Sequence, residues 1–212
     1  GIALPAPKRV DRAPAGELIA QHHSDPLPQL LKAMLKYSNN LMAEMIGMTA
    51  SASRGSRPAS LSDSAARMSD WAAATYGMQK SRLVDHSGLG EESRLTAQDL
   101  LRALVVAKRD GILKPLLKPI HLEDAKDRPL KNHSVRIAAK TGTLNFVSGL
   151  GGFVTAEDGR ELVFAIFSAD LQARAGISRA ERERPRGGRS WNTRAKKLQE
   201  SLLDRWGQVY GS

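Results

Sequence analysis

The stretch Ser134-Val135-Arg136-Ile137-Ala138-Ala139-Lys140-Thr141-Gly142-Thr143 predicts an edge-type strand that ends in a cation, two hydroxyls and a glycine. Apolar strand material follows at 146–150. A lysine and hydroxyls on one strand edge can bind a carboxylate, and fixed backbone N–H groups can stabilise an oxyanion. The Lys-Thr-Gly tripeptide alone is a weak signal, because about one chain in twenty of this length would carry it by chance. Its meaning therefore depends on the surrounding sequence.

Helical patterns precede this strand, and strand patterns follow it. Apolar residues at helical spacing predict two helices that meet at the polar corner Ser38-Asn39-Asn40, a third helix over 62–76, and a fourth that opens at Thr96. This order predicts an α+β fold in which helices pack on an antiparallel sheet. The three predicted strands lie at about 135–142, 146–155 and 161–169.

The remaining segments predict a single domain over 1–212. Residues 1–24 are Pro-rich and predict an irregular lead-in, 112–134 predict a loop with a helical turn, and 170–189 predict a basic linker loop. A last helix is predicted over 190–210, with Ser190 as its cap. The apolar pattern predicts a core formed by Leu31, Met34, Leu35, Met45, Leu100, Leu104, Ile137, Phe153, Val163, Ala165, Ile166, Leu198 and Leu202.

Composition limits the function classes. The chain has no cysteine, which excludes disulfides, thiolate metal sites and a cysteine nucleophile, and no apolar run reaches the ~20 residues of a membrane span. The net charge of +10 suggests an anionic partner. From Arg174 to Arg205 there are ten basic and four acidic residues, but they are not interleaved with the ladder of aromatic residues typical of nucleic-acid binding. We therefore expect no nucleic-acid partner.

Three further motifs have simpler explanations than catalysis. Asp85-His86-Ser87 contains the residue types of a catalytic triad, but adjacent residues cannot adopt triad geometry, so we expect a loop. The histidines lack metal-ligand spacing, and we expect neither a metal nor a cofactor. The glycine-rich run at 148–152 lies between strand segments rather than before a helix, which predicts close backbone packing and not a phosphate loop.

Taken in order, the motifs carry a family resemblance. Ser38-x-Asn40, then Asp85-x-Ser87-Gly88-Leu89, then Lys140-Thr141-Gly142-Thr143 before a hairpin and a C-terminal helix resemble the penicillin-binding D-alanyl-D-alanine carboxypeptidases of peptidase family S13. The phrase Tyr37-Ser38-Asn39-Asn40-Leu41-Met42-Ala43-Glu44 is especially similar. The segment from Leu83 differs from the family at three positions, with His86 for Gly, Gly90 for Ser and Glu91 for Arg. The resemblance implies part of a transpeptidase-like fold shared with β-lactamases.

The resemblance also implies roles for these residues. Ser38 would relay a proton to the leaving group, and Asn40 would bind a substrate amide carbonyl. Lys140 and Thr143 would hold the terminal carboxylate of D-Ala, with Thr141 and Gly142 completing the substrate-binding strand. The backbone N–H of Thr143 would supply half of an oxyanion hole. Asp85 and Ser87 would belong to a supporting loop.

The family nucleophile is the serine of a Ser-x-x-Lys motif. No serine in this chain has a lysine three residues later. In the family this motif lies far upstream of Ser-x-Asn, and the chain opens with Gly1 rather than Met. We therefore expect the nucleophile on a preceding segment of the same protein, and we expect this chain alone to be inactive.

The expected function is that of a serine-type carboxypeptidase or endopeptidase that cleaves peptidoglycan stem peptides ending in D-Ala-D-Ala through an acyl-enzyme. The resemblance implies a periplasmic location and β-lactams as acylating inhibitors. Two alternatives stay open. One is a β-lactamase or esterase of the same fold, and the other is a non-catalytic module that uses the basic charge to bind a polyanion.

Overall fold

The computed structural model describes residues 16–122, 133–181 and 183–211, together with residues 3, 6, 7, 9, 11, 12, 128 and 130. Residues 16–26 form no helix or strand. The helices are α1 Leu27–Tyr37, α2 Asn40–Ser53, α3 Leu61–Tyr76, α4 Ala97–Asp110, α5 Leu171–Ala175 and α6 Gly188–Val209, with short 3-10 turns at Lys114–Leu116 and Arg179–Glu181. The strands are β1 Lys118–Ile120, β2 Arg136–Leu144, β3 Val147–Thr155 and β4 Glu161–Ala169.

Helix ends follow local capping chemistry. The Thr96 hydroxyl accepts a hydrogen bond from the Asp99 backbone N–H at 3.1 Å, which starts α4 as predicted. Left-handed glycines end two helices, Gly77 (φ 69°) after α3 and Gly111 (φ 70°) after α4. The predicted Ser190 cap of the last helix is wrong. Helix α6 begins two residues earlier, at Gly188, and the Ser190 hydroxyl donates back to the Gly187 carbonyl.

The strands form one antiparallel sheet in the order β1-β2-β3-β4. Strand β1 was not predicted from the sequence. Its residues, Lys118-Pro119-Ile120, contain a proline that cannot donate to a ladder, which is tolerated because β1 is an edge strand. It pairs only with Ile137–Ala139 of β2. The rest of β2 therefore has a neighbouring strand on one side only within the described part of the chain.

Close backbone packing at the centre of the sheet explains the glycine-rich run. A Cβ atom on Gly152 would lie 2.2 Å from the Ala138 carbonyl oxygen of β2. A Cβ atom on Gly151 would lie 2.9 Å from Leu100 Cδ2 of α4. Side chains at these positions would push β2 or α4 away from β3, which agrees with the packing role predicted for these glycines.

Helices cover both faces of the sheet. One face packs against α6 through a core that includes Ile137, Val154, Phe164 and Leu203. The other face packs against α4 and α1 through Leu104, Phe153 and partly buried neighbours. Helices α2 and α3 pack against each other beside this second layer. The predicted α+β class is confirmed, and the layers place the α1–α2 corner on the same side of the sheet as α4.

Of the thirteen predicted core residues, three are buried, eight are half-buried and two are exposed. Ile137, Phe153 and Leu104 are buried, whereas Met45 is 61% exposed and Leu198 is 55% exposed. The buried positions of α6 recur every four residues, at Ala195, Gln199, Leu203 and Gly207. The prediction followed the large apolar side chains instead, and thereby missed that a glutamine and a glycine face the sheet. In the described part of the chain, no helix combines the length and apolar character needed to cross a membrane.

Candidate active site

The predicted polar corner between α1 and α2 is present. Helix α1 ends at Tyr37, and Ser38 adopts the left-handed conformation (φ 52°, ψ 49°). The Asn39 side chain then accepts a hydrogen bond from the Met42 backbone N–H at 3.0 Å and caps α2. The left-handed conformation of a serine costs free energy, so the two helices that flank Ser38 must offset this cost to hold the corner in place. It presents the Ser38 hydroxyl outside both helices.

Ser38 meets Lys140 across the molecule. The Lys140 Nζ donates to the Ser38 Oγ at 2.5 Å and to the carbonyl oxygen of Thr141 at 2.5 Å. These residues are 102 positions apart in the chain and come from different layers of the fold. The structure therefore brings together the Ser-x-Asn corner and the Lys-Thr-Gly strand.

The environment of Lys140 disfavours its charged form. Burial is the main cause that lowers the pKa of the Lys140 ammonium below its ordinary value, and the positive charge of Lys118 on β1 lowers it further. No carboxylate within salt-bridge distance offsets these effects among the described residues. An anion bound here would stabilise the ammonium, which is the property expected of a carboxylate-binding lysine.

Asn40 is the first residue of α2 and is exposed. Within the described ranges, its side-chain amide makes no hydrogen bond or ion pair to another residue. It lies two positions after Ser38, on the same side of the sheet as the Lys140 side chain that reaches the corner. The amide is thus free to hydrogen-bond a bound peptide.

Among the described residues, the substrate-binding strand predicted at 140–143 has a neighbouring strand on one side only, which leaves its other edge open. Strand β2 pairs with β3 along its full length, but its pairing with β1 extends no further along β2 than Ala139. Thr141 is half-buried, and Gly142 and Thr143 are exposed. Backbone N–H and C=O groups on such an edge can pair with an extended peptide. Asn192 of α6 holds the end of this strand by donating to the Leu144 carbonyl at 3.0 Å.

The loop at 85–90, which was predicted to support the site, is built around Asp85. Its carboxylate accepts hydrogen bonds from the Gly88 N–H at 2.8 Å and the Gly90 N–H at 2.5 Å. The Ser87 backbone N–H donates to the Glu44 carboxylate of α2 at 3.0 Å. His86 Nε2 lies 2.8 Å from the Ser64 hydroxyl of α3 and not in a triad with Asp85 and Ser87. The rejection of the triad is therefore confirmed.

Glu44 and Ser64 were not singled out as site residues. A sequence signal for Glu44 exists, because it lies four positions after Asn40 and therefore on the same face of α2. Ser64 had no comparable signal, since a serine in a helix is common and its buried hydroxyl is recognisable only in three dimensions. Among the residues that the structure describes, no group of three or more potential metal ligands occurs.

Comparisons with known proteins agree with this geometry. The model of the D-Ala-D-Ala carboxypeptidase 3 (S13) family matches residues 6–184. This chain belongs to peptidase family S13. It is 33% identical over 167 residues to carboxypeptidase DacB of Mycolicibacterium smegmatis, covering 72% of this chain and 36% of that protein. It is 31% identical over 163 residues to D-alanyl-D-alanine carboxypeptidase DacB of Haemophilus influenzae, covering 72% and 33%.

Solved structures show the same fold. Penicillin-binding protein 4 of Haemophilus influenzae, crystallised with a β-lactam, superposes with a TM-score of 0.57 at 25% identity, covering 84% of this chain and 42% of that one. An endopeptidase of Bdellovibrio bacteriovorus superposes with a TM-score of 0.56 at 20% identity, covering 85% and 44%. The chain spans about a third to two fifths of the length of the curated relatives that it matches.

Proposed function

We propose that this chain is the substrate-binding part of a serine-type D-Ala-D-Ala carboxypeptidase or endopeptidase that acts on peptidoglycan stem peptides. The observation that carries the proposal is the 2.5 Å contact between Lys140 Nζ and Ser38 Oγ. Beside it lie the Asn40 amide and a strand edge that have no partner among the residues that the structure describes. Membership of the S13 family and the Haemophilus DacB relative support the same reaction class.

The residues would divide the work as follows. An extended peptide would pair with the free edge of β2, and its terminal carboxylate would bind the Lys140 ammonium and the Thr143 hydroxyl. Asn40 would donate to a carbonyl of the peptide. The Thr143 N–H would contribute to an oxyanion hole, where such a donor is worth about 3 kcal/mol.

Ser38 would relay a proton to the leaving group. Its hydroxyl already accepts a hydrogen bond from Lys140, so its own proton is free to be donated toward the nitrogen of the departing D-Ala. After donating, it would regain a proton from a neighbouring lysine ammonium, so that the proton removed from the nucleophilic serine is passed on to the departing nitrogen. The cleavage leaves an acyl-enzyme on the nucleophilic serine, which water then hydrolyses.

The nucleophile would come from a Ser-x-x-Lys segment outside these 212 residues, because no serine of the chain has a lysine three positions later. The chain alone would therefore be inactive and would need that segment as its partner. The complete protein would act in the periplasm and would be acylated by β-lactams.

Labelling with a fluorescent penicillin tests the proposal. The complete protein that carries a Ser-x-x-Lys segment should be labelled, whereas the 212-residue chain alone should not. Lys140→Ala should lower the acylation rate by about ten- to hundredfold, the factor expected from losing a charged hydrogen bond. Lys80→Ala, at an exposed lysine on a turn, is the matched control.

Three outcomes would contradict or redirect the proposal. Stable labelling of the 212-residue chain alone would mean a different nucleophile. Absence of labelling in the complete protein would argue against an acylating enzyme. Labelling followed by rapid loss of the penicilloyl group would instead favour a β-lactamase of the same fold.

A further inference from the structure

A stripe of small and polar residues runs along one face of α2. Asn40, Glu44, Gly47 and Ser51 follow at spacings of four, three and four residues, which places them in a row on the helix surface. The intervening residues are mostly apolar, including Leu41, Met42, Met45, Ile46 and Met48. The stripe begins at the proposed substrate-binding amide of Asn40 and continues away from the corner.

Its second member, Glu44, holds the 85–90 loop. The carboxylate accepts the His86 backbone N–H at 3.2 and 3.3 Å and the Ser87 backbone N–H at 3.0 Å. Hydrogen bonds to an ionised carboxylate are stronger than those between neutral groups. The loop closes on itself through Asp85, so these bonds fix the whole turn on the face of α2 that starts with Asn40.

The third member, Gly47, provides the space for the His86 ring. A Cβ atom at position 47 would lie 2.2 Å from His86 Cγ and 2.3 Å from Nδ1, so any side chain there would expel the ring. The ring is further held by a 2.8 Å contact from Nε2 to the Ser64 hydroxyl and a 3.2 Å contact from Nδ1 to the Met68 sulfur. The glycine and the histidine are thus complementary in size.

The fourth member, Ser51, completes the contact with α3. Its hydroxyl lies 2.6 Å from the hydroxyl of Ser64, which is fully buried. Ser64 therefore connects the ring of His86 to the far end of the stripe. Helix α2, helix α3 and the loop are joined by polar contacts that all lie on the face shared with Asn40.

We infer that Glu44 and His86 are positioning residues for Asn40, because they lock the 85–90 loop to the helix face that begins with that amide. The inference rests on the proposed function, in which Asn40 binds the substrate peptide. His86 stands where the family resemblance has glycine, so the ring is an extra element of the lock in this chain. Neither residue needs to touch the substrate.

Hydrogen exchange in the 212-residue chain tests the lock, by which we mean the contacts of Glu44 and His86 that attach the 85–90 loop to α2. Glu44→Gln should raise the exchange rates of the His86 and Ser87 amides on the order of ten- to hundredfold, the factor that loss of a charge-assisted hydrogen bond allows. Gly47→Ala should raise the same rates by expelling the ring. The double variant Gly47→Ala/His86→Gly should return them toward wild type, because the ring that clashes is gone and Ser64 keeps Ser51 as its partner.

Acylation kinetics in the complete protein test the positioning role. Glu44→Gln and Gly47→Ala should each lower the limiting acylation rate by a penicillin on the order of tenfold, with a smaller change in the half-saturating concentration, since a misplaced group loses rate more than binding. The Gly47→Ala/His86→Gly variant should recover the rate. Glu92→Gln and Gly55→Ala, at exposed positions, are the matched controls.

Each outcome decides part of the inference. A double variant no better than Gly47→Ala alone would show that the ring is not the clashing group, and would overturn the lock. Faster loop exchange with an unchanged limiting rate would show a purely structural contact and overturn the positioning role. If the wild-type complete protein is not acylated, the proposed function fails and the positioning role with it, while the exchange rates still decide whether the lock exists.

Discussion

Gln199 of α6 and Ser148 of β3 exchange two hydrogen bonds in the interior of the protein. The Gln199 Nε2 donates to the Ser148 carbonyl at 3.0 Å, and the Ser148 hydroxyl donates to the Gln199 Oε1 at 3.3 Å. Both side chains are buried, at 3% and 1% exposure. Helix α6 and the beginning of β3 are therefore joined by a buried polar pair.

Replacing Gln199 should destabilise the protein, because the Ser148 hydroxyl and the Ser148 carbonyl each lose a hydrogen bond to its side chain. We expect Gln199→Ala to lower the free energy of unfolding by about 2–4 kcal/mol, since each buried group left without a partner costs about 1–3 kcal/mol. Chemical denaturation measures this change. Gln98→Ala, at an exposed position of α4, should stay within about 0.5 kcal/mol. A loss below 1 kcal/mol for Gln199→Ala would show that water or a rearrangement replaces the pair.

Ser38 allows stability and activity to be separated. Ser38→Gly and Ser38→Ala both remove the hydroxyl that contacts Lys140, so both should lower acylation of the complete protein by roughly a hundredfold or more. Only glycine adopts the left-handed conformation of this corner without steric cost. The glycine variant should therefore be more stable than the alanine variant by roughly 0.5–1 kcal/mol.

Two measurements check the Ser38 prediction. Thermal or chemical unfolding compares the two variants, and penicillin labelling compares both with wild type. Ser56→Ala, at an exposed loop serine, is the control for loss of a hydroxyl. Equal stability of the two variants would indicate that the corner relaxes when the hydroxyl is removed. Full activity of either would exclude proton relay by Ser38.

Lys118 should control the alkaline limit of activity. Burial first, and the charge of Lys118 second, lower the pKa of the Lys140 ammonium. Carboxylate binding requires the charged form, so it is lost as pH rises through the lowered pKa. Lys118→Gln removes the like charge and raises the pKa of Lys140, which should move the alkaline limb of the acylation profile to higher pH. The pH dependence of penicillin labelling measures the limb.

The same shift has a defined sign for stability. Between the lowered pKa of folded Lys140 and the ordinary lysine pKa, the unfolded chain binds more protons, so this residue makes the free energy of unfolding increase with pH. Lys118→Gln should reduce that increase. Lys80→Gln, at an exposed lysine, should leave both the activity limb and the stability slope where they are. An alkaline limb that does not move with Lys118→Gln would mean that another group sets it.

Gly152 should tolerate no side chain. A Cβ atom there would lie 2.2 Å from the Ala138 carbonyl oxygen and 2.7 Å from Ala139 Cα, both backbone atoms of β2. We expect Gly152→Ala to lower the free energy of unfolding by about 1–3 kcal/mol, the usual cost of overpacking. It should also slow acylation, because Lys140 directly follows the displaced segment. Gly55→Ala, which meets no atom within 4 Å, is the control. If Gly152→Ala left the free energy of unfolding unchanged, β2 and β3 would have to move apart at little cost to accommodate the methyl group.

Local sequence chemistry predicted much of the fold. The strands at 146–155 and 161–169 and the cap at Thr96 follow from alternation and capping rules that act within a few residues. The Ser38–Lys140 contact was accessible only through the family resemblance, since no local rule links residues 102 positions apart. Alternation and capping are local, whereas this contact depends on how the layers stack.

The errors have a common physical cause. Leu198 was placed in the core because it is large and apolar, but α6 faces the sheet with Gln199, whose amide is matched by Ser148. Strand β1 was missed because Pro119 disfavours strands in general, although an edge position tolerates it. In each case a tertiary partner outweighs the average preference of the residue.

The position at which β1 begins closes one end of the open edge of β2. Strand β1 runs antiparallel to β2 and begins at Lys118, opposite Ala139, immediately before the open segment 140–144. A peptide that paired with that segment in the same direction as β1 would advance toward Lys118 and arrive with its C-terminal end foremost. Lys118, the first residue of β1, would then block further extension of the peptide along the edge of β2. The position at which β1 begins would therefore limit the number of residues that can follow the scissile bond.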